Sequence, residues 1–142
     1  MHAWKERGLR RLAAEVALLV AERLSRPEVD ALTFVPADRG RRLERGHNPA
    51  ERLAVELATV WELPCLPLLE RTRGGRQRGR SAAARRSVRG AFRPCCAAPR
   101  LVAVVDDVYT TGATAAAAAG ALRAGGARRV EAVAFARALR RG

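Results

Sequence analysis

Lysine is almost missing from this 142-residue chain: Lys5 is the only one, and arginine supplies the other 26 of its 27 basic residues. A Walker-type nucleotide loop needs a lysine directly after its glycines, and Lys5 stands nowhere near such a pattern, which excludes that class of ATPase. No G-x-G-x-x-G follows a β-type run, so a dinucleotide-binding dehydrogenase is excluded as well. Three cysteines, Cys65, Cys95 and Cys96, are odd in number and wrongly spaced for a disulfide framework or a zinc knuckle. No apolar run approaches the roughly 18 residues that a bilayer-spanning helix requires. The first 24 residues carry Glu6, Glu15 and Glu22 through an amphipathic pattern, unlike the unbroken apolar core of a secretory signal peptide. The expectation is a soluble cytoplasmic protein with reduced thiols.

What is present is apolar residues in quantity and a large positive charge. Hydrophobic residues make up 49% of the chain, enough for one compact domain and too many for a wholly disordered one. The net charge is +13, but the 30 alanines that accompany the arginines mark a GC-rich coding bias. That bias weakens the usual inference from high pI to a nucleic-acid partner.

The apolar spacing predicts an amphipathic helix over 9–24, through Leu9, Leu12, Val16, Leu19, Val20 and Leu24. ALTFV at 31–35 reads as a strand that ends at Pro36 in a polar loop. Asn48 as cap, Pro49 at the first helical position and Glu51 three residues after the cap predict a second helix. The stretch 63–70 is read as holding a short strand. LVAVV at 101–105 has the continuous apolar character of a parallel strand buried on both faces, and the acids Asp106 and Asp107 are expected to end it. A helix over 114–124, stopped by Gly125 and Gly126, and a strand over 129–136 complete the alternation. The class is therefore α/β, with a mainly parallel sheet flanked by helices in a single domain over 1–142. A basic flexible insert at about 71–100 resists assignment.

The chemistry is concentrated in VAVVDDVYTTGAT, residues 102–114. A buried strand runs into two carboxylates and then into a small-residue turn, Thr110, Thr111, Gly112, Ala113 and Thr114, that opens a helix. In open α/β sheets ligands sit beyond the carboxyl ends of the strands, where a helix N-terminus offers backbone N–H groups and a positive dipole end to a phosphate. Gly112 and Ala113 let the backbone approach closely, and the threonine hydroxyls add uncharged donors. Carboxylates beside a phosphate need hydroxyl donors or a metal, and the two hydroxyls of a ribose, one sugar away, supply the first. Phosphate and diol together describe a ribose 5-phosphate.

This stretch resembles the phosphoribosyl pyrophosphate (PRPP) motif of type I phosphoribosyltransferases. Tyr109, LRAGGARRVEAVAFARAL downstream, RGHNPAERLA at 45–54 and RTRGGRQRGRSAAARRSVRGAF at 71–92 narrow the resemblance to the ComF family, over Lys5 to Leu139. Pro49, Arg80 and Ser87 depart from that family's usual Gln, aliphatic residue and Asn. The family's N-terminal zinc-binding cysteine module has no counterpart ahead of WKERG. The resemblance implies the type I phosphoribosyltransferase fold and transfer of ribosyl 5-phosphate from magnesium-bound PRPP to a nitrogen acceptor that the sequence does not name. Asp106 and Asp107 would bind the ribose hydroxyls, and Thr110, Thr111, Gly112, Ala113 and Thr114 the 5-phosphate. Arg39 in the loop at 36–45, with Arg76, Gln77 and Arg85 in the insert, would meet the pyrophosphate or close over it. Magnesium would come with the substrate, with no direct protein ligand, and a homodimer is expected from type I relatives.

The insert from Arg71 to Arg100 holds ten arginines and no acid. Three readings stand: a flap over the leaving pyrophosphate, a surface for single-stranded DNA, or a solvated basic loop. The second belongs to the alternative function, a non-catalytic accessory in DNA uptake and competence that acts with other competence proteins. The fold also serves as a regulatory PRPP sensor, so turnover stays open at this stage.

Overall fold

The run at 101–105 is apolar at every position because its strand is sandwiched. In the computed structural model, which describes residues 2–38, 46–72, 90–109 and 112–137, it forms the first part of β4 (Leu101–Tyr109), between β1 (Ala31–Phe34) and β5 (Arg129–Arg137). Both neighbours run parallel to it, in a register that sets Ala31 opposite Val102 and Leu101 opposite Arg129. Alternate residues of β4 feed two cores. Ala103 and Val105 pack with Leu32 and Val133 against α1 (His2–Arg23) and α2 (Pro49–Trp61). Val102 and Val104 face α3 (Ala113–Ala124), meeting Ala117, Ala118 and Leu122. This is the mainly parallel sheet flanked by helices that the sequence predicts.

Several boundaries differ from the sequence reading. The acids do not end β4, because β5 continues alongside and pairs Asp106 with Ala134 and Tyr109 with Arg137; ladder pairing overrides the low strand preference of aspartate. Helix α1 begins at His2, since Ala3, Lys5, Glu6 and Arg7 favour helix where the apolar pattern is silent. Its deeply buried positions are Ala17 and Val20, whereas Leu12 and Leu19, and Leu24 just past its end, remain 56%, 53% and 45% exposed. Small side chains bring the helix close to its neighbours, and the leucines flank the contact instead of filling it. Trp61 is buried in the same core.

The expected strand within 63–70 is split. Leu32 donates its N–H to the Pro64 carbonyl at 2.8 Å and accepts from Leu66 at 2.9 Å, which makes a single parallel bridge at Cys65. Pro64 and Pro67 lack the N–H groups that a longer ladder would need. The chain then forms β2 (Leu69–Arg71), paired antiparallel with β3 (Phe92–Pro94). Both ends of the basic insert are thus ordered as a two-stranded ribbon packed beside α3, with Leu68, Leu69 and Phe92 in that core. Residues 73–89 lie outside the described residues. Among the described residues no helix is long and apolar enough to cross a membrane.

The connections leave β1 and β4 in opposite directions. Helix α2 leads from β1 to the segment at Cys65 on one side, and α3 leads from β4 to β5 on the other. The carboxyl ends of β1 and β4 therefore flank a topological switch point, the place where open α/β sheets bind ligands. Asn48 holds this end together. Its Oδ1 accepts the Ala50 N–H at 3.1 Å as the cap of α2, and its Nδ2 donates to the Val35 carbonyl, just past β1, at 3.0 Å.

Asn48→Ala removes both bonds and leaves a buried carbonyl unpaired. The expected loss is about 2–3 kcal/mol of unfolding free energy, read from the midpoint of urea denaturation. A loss below about 0.5 kcal/mol would mean that the tether is dispensable.

Candidate functional site

Three segments converge on the switch point. Val35 donates its N–H to the Val105 carbonyl at 3.0 Å, so the chain leaving β1 stays against β4 up to the residue before the acid pair. The next carbonyl, that of Pro36, accepts the Nε–H of Arg71 from the ribbon at 2.8 Å. The Arg71 guanidinium also stacks over the Phe92 ring, 5.0 Å from its centroid, within the geometry of a cation–π contact.

The acid pair occupies the middle of this arrangement. Asp106 is half-buried, and its Oδ1 accepts the backbone N–H of Asp107 at 2.8 Å. Burial, followed by a hydrogen bond with the Asp107 carboxyl and the negative charge of that group, pushes Asp106 up from 3.8 to about 6. The Asp107 N–H and the positive charge of Arg71 act in the opposite direction. Asp107 also borders a groove of about 220 Å³, together with His47, Arg52, Leu12, Leu53 and Phe135.

The far side of the crevice is the start of α3. Gly112 is its N-cap with φ 80° and ψ −1°, in the left-handed region where a side chain is strained. Its carbonyl accepts the Ala116 N–H at 2.8 Å, which closes the first turn. The backbone N–H groups of such a first turn have no partners within the helix and point off its end, toward whatever anion sits there.

Of the residues singled out in the sequence, Asp106, Asp107, Gly112, Ala113 and Thr114 come together at this one edge of the sheet. Thr110, Thr111, Arg39, Arg76, Gln77 and Arg85 lie outside the described residues. His47 precedes α2 in a bend and faces the groove. The three cysteines are free; burial and the charge of Glu51 push the Cys65 thiol up to about 11, while Cys95 and Cys96 are exposed beyond β3. Among the described residues no cluster of His, Cys, Asp and Glu is built to hold a metal. Sequence reasoning missed Arg71 as distinct from the other insert arginines, and missed Phe92 beneath it. Only the pairing of β2 with β3, between residues far apart in the chain, sets the two together.

No family model matches this chain, and no curated protein does. Among solved structures, one described as the structure of the allosteric regulatory enzyme of purine biosynthesis aligns with a TM-score of 0.61 at 23% identity. The alignment covers 87% of this chain and 25% of that one, so this chain spans about a quarter of its neighbour's length. A likeness at that identity defines the fold, which is that of the type I phosphoribosyltransferases.

The raised position of Asp106 has a sign that can be measured. The folded state holds the Asp106 proton more tightly than the unfolded chain does, so the contribution of this group to stability falls as pH rises from about 4 to about 6. Asp106→Asn keeps the acceptor for the Asp107 N–H and removes the charge. Its melting temperature is expected to exceed that of the wild type by roughly 2–4 °C at pH 8 and to match it near pH 4. Equal melting temperatures at both pH values would show that Asp106 bears no electrostatic strain.

Proposed function

We propose that this protein is a phosphoribosyltransferase of the ComF type, which binds magnesium-PRPP and transfers its ribosyl 5-phosphate to a nitrogen acceptor. The observation that carries the proposal is the half-buried acid pair toward the carboxyl end of the central parallel strand, at the switch point, with the glycine cap of a helix three residues after the strand. The helix start suits a phosphate, and the carboxylates suit the two ribose hydroxyls, the two features of a ribose 5-phosphate. The ComF assignment draws on RGHNPAERLA and on the paired segments at either end of the basic insert.

In this reading Thr110 through Thr114 hold the 5-phosphate, and Asp106 and Asp107 accept hydrogen bonds from the ribose hydroxyls and fix the sugar. A lone pair on the acceptor nitrogen forms the new bond to ribose C1. The C1–O bond breaks with its electrons passing to the pyrophosphate, which leaves and takes up the proton released by the nitrogen. Magnesium would come with the substrate and would supply positive charge at its phosphates, with no direct ligand from the chain. Negative charge grows on the leaving group during transfer, so cations near it lower the barrier.

Calorimetric titration of the full chain with magnesium-PRPP tests this reading. Saturable binding is expected, weakened at least about tenfold in Asp106→Asn combined with Asp107→Asn. The proposal fails if folded wild type does not bind magnesium-PRPP. It fails equally if the double variant binds as well as the wild type does. Single-stranded DNA bound in place of PRPP, with steep salt dependence and no sensitivity to the acid pair, would point to the accessory role instead.

A further inference from the structure

A crevice that carries two carboxylates repels a polyanion unless a cation is held beside them. We infer that Arg71 is that cation, a fixed binding residue for the diphosphate end of the substrate. The inference rests on the ribose-phosphate reading above and adds to it a residue in the ordered frame of the site.

Arg71 lies in β2 itself, where its backbone stands opposite Phe92 of β3 in the ribbon register. The side chain is held at two points or more. Its Nε–H donates to the Pro36 carbonyl at 2.8 Å, and the guanidinium lies over the Phe92 ring at 5.0 Å. Pro36 follows Val35, whose N–H is bonded to the carbonyl of Val105, so this anchor ties the side chain to the segment that runs along β4 up to the residue before Asp106. Its positive charge is felt there, opposing the rise that burial imposes on Asp106.

A guanidinium fixed by a carbonyl and a ring has little freedom left to lose on binding, and its planar fork matches phosphate oxygens. Arg93 provides the contrast. It sits next to Phe92 on the same ribbon, but strand alternation turns it outward, where it is exposed and paired with Glu70. Both arginines are exposed, and what sets Arg71 apart is its anchor on the Pro36 carbonyl and the Phe92 ring, on the ribbon face opposite Arg93.

The test compares magnesium-pyrophosphate and ribose 5-phosphate as separate calorimetric ligands of the full chain, on wild type, Arg71→Met, Arg71→Lys and Arg93→Met. Loss of one charge-assisted anion contact predicts that Arg71→Met weakens pyrophosphate binding at least about tenfold, while ribose 5-phosphate stays within about twofold. Arg71→Lys keeps the charge without the fork, so it should fall between wild type and Arg71→Met, and it serves in place of Arg71→Met if that variant does not fold. Arg93→Met removes the same net charge and should change neither affinity by more than about twofold. Equal pyrophosphate affinities in Arg71→Met and Arg93→Met would overturn the assignment. So would an equal loss of both ligands in Arg71→Met, which would make Arg71 a structural clamp. Wild type that binds ribose 5-phosphate but not pyrophosphate sinks this inference alone; wild type that binds neither sinks the ribose-phosphate reading with it.

Discussion

Burial of β4 on both faces is the constraint from which the rest of this structure follows. A strand with a neighbour on each side and a helical layer above and below must be apolar along its covered length, and residues 102–105 are. Once the covering layers end, the same strand carries its next two residues to the sheet edge in a fixed register. The carboxylates of Asp106 and Asp107 are thus aimed by a rigid element, and the helix that answers them, capped by Gly112, follows the same strand closely in the chain. Groups that must be held within a fraction of an ångström are better placed on such elements than on long loops.

That placement has an energetic consequence for the fold. A carboxyl that is half-buried beside a second carboxyl is not where aspartate is most stable, and the shift of Asp106 to about 6 expresses the cost. Groups held in unfavourable settings concentrate at working sites, because the surrounding structure can sustain them and the chemistry needs them there. Arg71, fastened to the Pro36 carbonyl and the Phe92 ring, relieves part of the strain from one side. Asn48 acts from another direction, joining the start of α2 to the chain that leaves β1. Neither residue belongs to the motif, yet both define the crevice into which the motif opens.

How much of this was legible in the sequence depended on whether the signal was local. The run at 101–105 and the cap at Asn48 are written in neighbouring residues, and each appears where its pattern placed it, whereas the acid pair lies within β4 instead of ending it. The β2–β3 ribbon was not legible, because strands of three residues carry almost no periodic signal and their pairing joins Leu69 to Pro94. The second bond of Asn48, to Val35, and the bond from the Leu68 N–H to the buried Thr33 hydroxyl are likewise tertiary. The extent of β4 was misread for a related reason: aspartate propensity is weak beside a partner strand that continues. In α1 the periodicity located the helix and included Val20, but the position packed most deeply is Ala17, which a reading based on large apolar residues passes over.

The central claim is spatial, that one ligand spans the start of α3, the acid pair and the ribbon. A crystal structure of the chain with magnesium-PRPP tests it most directly. The account predicts the 5-phosphate against the first turn of α3, the ribose hydroxyls within hydrogen-bonding distance of Asp106 and Asp107, and the diphosphate beside Arg71. PRPP bound away from the β1–β4 switch point, or a crevice left empty at saturating ligand, would contradict it.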